Sequence, residues 1–196
     1  MSTAPTRRVR VGSCVFWVSA LIYAAVLGWT ALVGSDSMPA HFGISGDVTR
    51  WESKAWVLTV EIVTGLLLMG LAWGCRWMIP RLGPEVLSLP SESGQRYWTT
   101  PERRPELNAR LISDLELMLG ISFLLLSWLA AVLLGVAENA GGVAAVADGG
   151  EAGDGAAGAA LTIGVVGYIL ALTVQFILMF TGGRYRPPPV GARSCQ

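Results

Sequence analysis

Four long runs of apolar residues dominate the sequence. They cover residues 13–34, 55–78, 111–137 and 159–181, and few charged side chains interrupt them. A helix rises about 1.5 Å per residue and the hydrocarbon core of a bilayer is about 30 Å thick, so about 20 apolar residues are enough to cross it. The pattern predicts an all-α, polytopic membrane protein with four transmembrane helices.

Basic residues are unevenly distributed between the connecting segments. Twelve of the 14 Lys and Arg residues lie in three segments, 1–12, 76–110 and 182–196. The loop 35–54 contains only Arg50 and Lys54, and the loop 138–158 contains four acids and no basic residue. Because Lys and Arg favour cytoplasmic loops, we expect both termini in the cytoplasm, with loops 35–54 and 138–158 outside.

Composition narrows the possible functions. The chain is 53% hydrophobic and only 14% charged, with a mean hydropathy of +0.53, whereas soluble domains carry about 25% charged residues. Equal numbers of acidic and basic residues argue against a nucleic-acid partner. One His and three Cys do not make an ordinary metal site or disulfide scaffold. Since no catalytic or cofactor motif is present either, we expect a non-enzyme without cofactor or metal.

The connecting segments differ in character. The cytoplasmic connection, residues 79–110, is long and rich in proline; Thr100 and Pro101 are typical of a helix start, and Pro105 is an alternative start. This pattern predicts a cytoplasmic helical extension that leads into the third span. The Gly/Ala-rich loop 138–158 has too few bulky side chains to bury a core, so we expect it to be mobile.

The outer loop 35–54 holds the residues that we consider for ligand binding or sensing, which are His41, Asp47, Trp51 and Lys54. His41, Asp47 and Glu52 could bind a metal, but one His and two loop carboxylates form a weak pattern. A structural hydrogen bond of His41 is the favoured interpretation. Ser53 is expected to cap the second helix.

Acidic residues also occur within the apolar runs. A charged carboxylate in lipid costs at least about 2–3 kcal/mol, so Glu61 should face the bundle or be protonated. It is either a proton, ion or ligand site or a partner in an interhelical hydrogen bond. Asp114 and Glu116 open the third span and are interpreted as paired or solvated charges. The spacing of Arg110 and Asp114 suits an ion pair on one helix face.

Small residues mark surfaces where helices can approach closely. Gly70 and Gly74 are four residues apart in the second span, and Gly164 and Gly167 lie in the fourth. Packing within the bundle is the default interpretation of these four residues, and association with another chain is the alternative.

Two motifs resemble a bacterial membrane-protein family. The outer loop contains Pro39-Ala40-His41-Phe42, followed by Gly46-Asp47, Arg50-Trp51 and Ser53-Lys54. This order resembles the signature of the domain of unknown function at the N-terminus of SdpI-type immunity proteins. Tyr97-Trp98 and Pro101-Glu102-Arg103-Arg104 resemble a cytoplasmic YW-x-x-PERR element of the same family. Glu52 departs from the pattern, because a glycine is common there.

The resemblance implies both shared residues and a role. It suggests that the two motifs supply the core features of the family, which in this chain are His41, Gly46, Trp51, Lys54, Tyr97, Trp98, Glu102 and Arg103. The best-known relatives confer immunity to a secreted toxin and take part in signalling. By this resemblance the chain is expected to be a bacterial plasma-membrane protein that responds to an extracytoplasmic factor.

Three functions therefore remain open at this point. The first is immunity or signalling through the outer loop. The second is an accessory role, in which small helix faces and the cytoplasmic connection dock on other membrane proteins or on a second copy. The third is a small proton-coupled transporter that uses Glu61.

The predicted orientation can be tested with a reporter enzyme that is active only outside the cytoplasm. Fused after Gln196, it should be inactive, because the basic segments hold both termini inside. The protein should also stay with the lipid when membranes are washed with carbonate. An active reporter, or a protein released by carbonate, would contradict the four-span arrangement.

Overall fold

The computed structural model describes residues 4–43, 47–86, 91–139, 154–181 and 185. Four of its helices are long and apolar enough to cross a membrane, namely Val11–Val33, Lys54–Arg81, Arg104–Asn139 and Ala157–Met179. These correspond to the four predicted spans. The chain is a mostly helical, multi-pass membrane protein by the length and composition of these helices.

The elements follow one another in a simple order. The helices are α1 (Ala4–Val33), α2 (Lys54–Met78), α3 (Glu92–Trp98), α4 (Arg104–Asn139) and α5 (Asp154–Thr181). Two strands, β1 (Ser37–Phe42) and β2 (Val48–Ser53), join α1 to α2. Two 3₁₀ turns, Ile79–Arg81 and Pro84–Val86, follow α2. We call the end that carries β1 and β2 the hairpin end, and the opposite end, with residues 79–86 and 91–103, the connector end.

The strands correct the all-α prediction. β1 and β2 pair in antiparallel fashion from Ser37 opposite Ser53 to Phe42 opposite Val48, with irregular register around His41. The segment was predicted as a loop because Pro39, Gly43 and Gly46 are turn residues. A hairpin forms because it pairs backbone N–H and C=O groups that would otherwise be unsatisfied beside the apolar helix ends.

Two local predictions about the helices are confirmed. Ser53 caps α2 by accepting a hydrogen bond from the N–H of Trp56 at 3.3 Å, as predicted. α4 begins at Arg104, so the predicted helical extension exists and Pro105 lies in its first turn. The segment 1–12 was predicted as a tail, but it is helical from Ala4. Gly46, most of the loop 138–158 and most of the tail 182–196 lie outside the described residues.

α4 is the central helix of the bundle. It packs along α1, and it also contacts α2, α5 and β1. The main apolar core lies at the α1–α4 contact and consists of Phe16, Ala20, Tyr23, Ala72, Leu119 and Phe123. The ring of Phe123 meets Phe16 edge-on at 5.7 Å and Tyr23 at 5.5 Å. Such aromatic pairs add about 0.5–1.5 kcal/mol each beyond their burial.

Two glycines permit close contacts within the chain. A Cβ at Gly65 would lie 2.7 Å from Cε1 of Tyr23, so only glycine lets the Tyr23 ring approach α2. Gly164 lies against the Trp128 ring in the same way, and this contact agrees with its predicted packing role.

Gly70, Gly74 and Gly167 do not pack as expected within the chain. A Cβ at any of the three would meet no atom within 4 Å in the described part of the structure. The default interpretation was therefore wrong for these residues, because the helix faces that carry them are turned away from α4. Their association with another chain stays a prediction.

The difference between Gly65 and Gly70 predicts opposite responses to one added methyl group. Gly65→Ala should lower the free energy of unfolding by about 1–3 kcal/mol, because the Tyr23 ring must shift. Gly70→Ala should leave it unchanged or raise it by up to about 1 kcal/mol, since alanine favours helix and the space is open. Unfolding of both variants in mixed detergent micelles tests this, and equal destabilisation would contradict the described packing.

Candidate functional site

The hairpin is fixed to the ends of the helices by its buried residues. Met38 is 1% exposed and Pro39 is also fully buried. Met38 packs with Val57 of α2 and Ala137 of α4, and Trp51 covers this cluster from β2. The hairpin is therefore anchored to two transmembrane helices.

Lys54 connects the hairpin to the end of α1. Its Nζ donates to the carbonyl of Gly34 at 2.7 Å, and its backbone N–H donates to the carbonyl of Asp36 at 2.9 Å. The last carbonyls of a helix lack partners within the helix and carry a partial negative charge. Lys54, a candidate for ligand contact by sequence, thus satisfies the α1 terminus.

The exposed residues of the hairpin form a small polar surface. His41, Thr49 and Arg50 are all exposed, and Arg50 has 63% of its side chain accessible. Nδ1 of His41 lies 2.7 Å from Oγ1 of Thr49, which fixes the imidazole on the surface. We call these three residues the hairpin surface.

The arrangement of the described residues in this loop does not support the metal hypothesis. His41 contacts Thr49, and Glu52 pairs with Arg50 at 3.3 Å. The carbonyl of Asp47 accepts from the N–H of Gly43 at 2.7 Å, which closes the described base of the hairpin turn. Within the described ranges, no three His, Cys, Asp or Glu residues are grouped to hold a metal ion.

Glu61 meets a hydroxyl within the membrane-spanning part of the bundle. The Tyr23 hydroxyl lies 2.6 Å from Oε2 of Glu61 and 2.7 Å from the backbone oxygen of the same residue. Gly65, one turn further along α2, leaves room for the Tyr23 ring. Gly65 thus leaves space for the Tyr23 ring on α2, and Glu61 contacts the hydroxyl of the same ring.

At the connector end, the Tyr97-Trp98 motif forms a structural junction. Trp98 is 3% exposed and packs with Leu107 and Tyr185. Its Nε1 donates to the Tyr185 carbonyl at 2.8 Å, and the Tyr185 hydroxyl donates to Oδ2 of Asp114 at 2.5 Å. The motif therefore binds the segment after α5 to the start of α4.

Arginines cover the aromatic rings of this motif. The Arg103 guanidinium lies 5.2 Å from the centre of the Tyr97 ring, and that of Arg110 lies 4.5 Å from the centre of the Trp98 ring. Both arginines also pair with Glu106, at 3.8 and 2.7 Å. Glu102 is exposed. The contacts of Tyr97, Trp98 and Arg103 therefore hold the connector together.

Glu116 is the centre of a second polar contact between the spans. It is 2% exposed, it accepts a hydrogen bond from the Ser13 hydroxyl, and it forms an ion pair with Arg76. α1, α2 and α4 each contribute one residue. The pairing of Glu116 agrees with the sequence interpretation, but its complete burial does not fit a solvated charge.

A cavity of about 260 Å³ lies between α2, α4 and α5. Its walls are apolar apart from Cys75 and the hydroxyls of Ser122 and Tyr168, which lie 3.1 Å apart. Among the described residues, its lining contains no Asp, Glu, Lys or Arg side chain.

Sequence reasoning missed the partners of the predicted residues. Thr49, Tyr23, Ser13 and Tyr185 were not singled out, although they contact His41, Glu61, Glu116 and Asp114 respectively. Tyr23 and Ser13 are hydroxyl-bearing residues in the apolar run of α1, which is a signal for a buried partner. Tyr185 and Thr49 carry no such signal.

No known protein family, curated protein or solved structure matches the chain. Its class therefore rests on the four long apolar helices alone.

The Glu116 contact predicts a coupled response to mutation. Arg76→Gln should lower the free energy of unfolding by about 2 kcal/mol, because it leaves Glu116 buried without its cation. Breaking a fully buried ion pair costs about 3–5 kcal/mol. We expect a smaller loss here because the Arg76 side chain is 41% exposed. In the double variant, the second substitution Glu116→Gln should recover more than half of the stability that Arg76→Gln removes.

The exposed pair Glu92 and Arg96 is the matched control for this double-mutant cycle. Arg96→Gln should cause no measurable change, because solvent screens exposed pairs. Strictly additive losses at Arg76 and Glu116 would contradict the contact.

Proposed function

We propose that this membrane protein binds an extracytoplasmic factor at the hairpin surface and acts in immunity or signalling without catalysing a reaction. The observation that carries the proposal is the combination of an anchored base with an exposed polar face. Met38 and Pro39 are buried against the helices, while His41, Thr49 and Arg50 remain accessible. A recognition surface that is held in place loses little entropy when a partner binds.

The groups on the hairpin surface suit an anionic or hydrogen-bonding partner. Arg50 offers a planar array of N–H donors for carboxylates and phosphates. It is already pre-positioned by Glu52 at 3.3 Å. His41 is exposed and has its Nδ1 2.7 Å from the Thr49 hydroxyl. An acidic or amide-rich segment of a secreted peptide has the matching chemistry.

The distribution of charge supports the orientation in which the hairpin faces outward. The hairpin lies at one end of the bundle and the arginine-rich connector lies at the other. Because basic segments favour the cytoplasmic side, we place the hairpin outside the plasma membrane and both termini inside.

The resemblance to SdpI-type immunity proteins supports the same function. The outer signature covers β1, β2 and the start of α2, so the resembling residues coincide with the exposed hairpin and its anchors. The second motif coincides with the connector junction, where Trp98 and Arg103 are packed. In this interpretation the hairpin recognises the factor, and the connector fixes the positions of the helices relative to one another.

Protection assays test this proposal. A strain that lacks the gene is exposed to medium in which its parent strain has grown, and wild-type or variant protein is supplied from a plasmid. His41→Ala combined with Arg50→Ala should lower the dose of medium that halves growth by about tenfold. A loss of this size corresponds to about 1.4 kcal/mol of binding free energy.

Glu92→Ala is the control, because Glu92 is exposed at the connector end. The Glu92→Ala variant should protect the strain as well as the wild-type protein does. Membrane levels of all variants are compared by immunoblotting. Full protection by the double variant, or no difference between the deletion strain and its parent, would contradict the proposed function.

A further inference from the structure

The described residues around Glu61 include no cation that could neutralise a carboxylate. α1 has no charged residue between Arg10 and Asp36, and α4 has none between Glu116 and Glu138. Among the described residues, Glu61 forms no ion pair, and its side-chain contact is the Tyr23 hydroxyl. This differs from Glu116, the other acid in the spans with a close partner on α1, which is paired with Arg76.

Charged groups at the hairpin end are also engaged elsewhere. Lys54 is the nearest cation along α2, about 10 Å from Glu61 by helix rise, and its Nζ donates to Gly34. Arg50 of β2 pairs with Glu52. The elements packed against α2 therefore bring no positive charge to Glu61, and a bare carboxylate there would be costly.

The number of protons available at this contact also argues against a charged Glu61. The Tyr23 oxygen is within 2.7 Å of two oxygens of Glu61, Oε2 and the backbone oxygen. A tyrosine hydroxyl carries one proton, and hydrogen bonds weaken steeply when they are bent. One proton cannot serve two acceptors well at such short distances. Two protons satisfy both contacts if the Glu61 acid donates to Tyr23 and the Tyr23 hydroxyl donates to the backbone oxygen.

We propose that Glu61 and Tyr23 form a proton-binding site in the hairpin half of the bundle, in which Glu61 is a neutral acid. The ligand of this site is the proton itself. Glu61 is only half-buried, so the acid remains reachable by small reagents. The aromatic contacts of Phe123 with Tyr23 and Phe16 separate the site from Glu116 at the other end. The site is independent of the function proposed for the hairpin surface.

Infrared spectroscopy tests whether the acid is neutral. Full-length protein in lipid vesicles at neutral pH should show the C=O stretching band of a protonated carboxylic acid, and Glu61→Gln should remove this band. Tyr23→Phe should shift it, because the acid proton loses its acceptor. Glu116→Gln is the matched control and should leave it unchanged, since Glu116 is ion-paired.

Labelling with dicyclohexylcarbodiimide identifies the carboxyl independently. A neutral acid adds across one C=N bond of this apolar reagent; its oxygen bonds to carbon, its proton goes to nitrogen, and the product rearranges to a stable N-acylurea. Mass spectrometry should find the adduct at Glu61 and not at Glu116. An infrared band that survives Glu61→Gln, the absence of any such band, or labelling of Glu116 alone would overturn the proposal.

Discussion

Polar groups inside an apolar span must find their partners within the protein, because lipid offers none. This constraint explains how α1, α2 and α4 are joined. Two of the hydroxyls of α1, that of Ser13 near the connector end and that of Tyr23 near the hairpin end, each meet an acid on a different helix. Phe16 and Phe123 fill the space between the two polar contacts. Two polar contacts with an apolar layer between them thus define how the three helices are aligned.

The two ends of the bundle are organised in a similar way but expose different chemistry. At the hairpin end, buried Met38 and the Lys54 cap hold a short sheet whose outer face remains polar and accessible. At the connector end, Trp98 and Tyr185 hold the chain after α5, and Arg103 and Arg110 cover the rings. Both ends thus combine buried anchors with accessible polar groups. We place recognition at the hairpin end because the distribution of basic residues favours an outward orientation of this end, and we regard the connector motif as structural.

Glu61 and Glu116 show that the same residue type has different roles in the same bundle. Glu116 has a guanidinium beside it and serves as an ionic connection between helices. Among the described residues, the side-chain partner of Glu61 is the Tyr23 hydroxyl, whose oxygen also lies 2.7 Å from the Glu61 backbone oxygen. The difference arises from the side chains that the neighbouring helices bring to each carboxyl group.

The sequence by itself determined the number of spans, their approximate positions, the cap at Ser53 and the helical extension before the third span. These features depend on local properties, namely apolar length, hydroxyl capping and proline position. The tertiary structure alone decided that residues 37–42 and 48–53 pair as strands and that Gly65 is needed for packing while Gly70 is not. It also decided that Glu61 meets Tyr23. These outcomes depend on which helix faces meet, and apolar patterning says little about this in a span surrounded by lipid, where both faces of a helix are apolar.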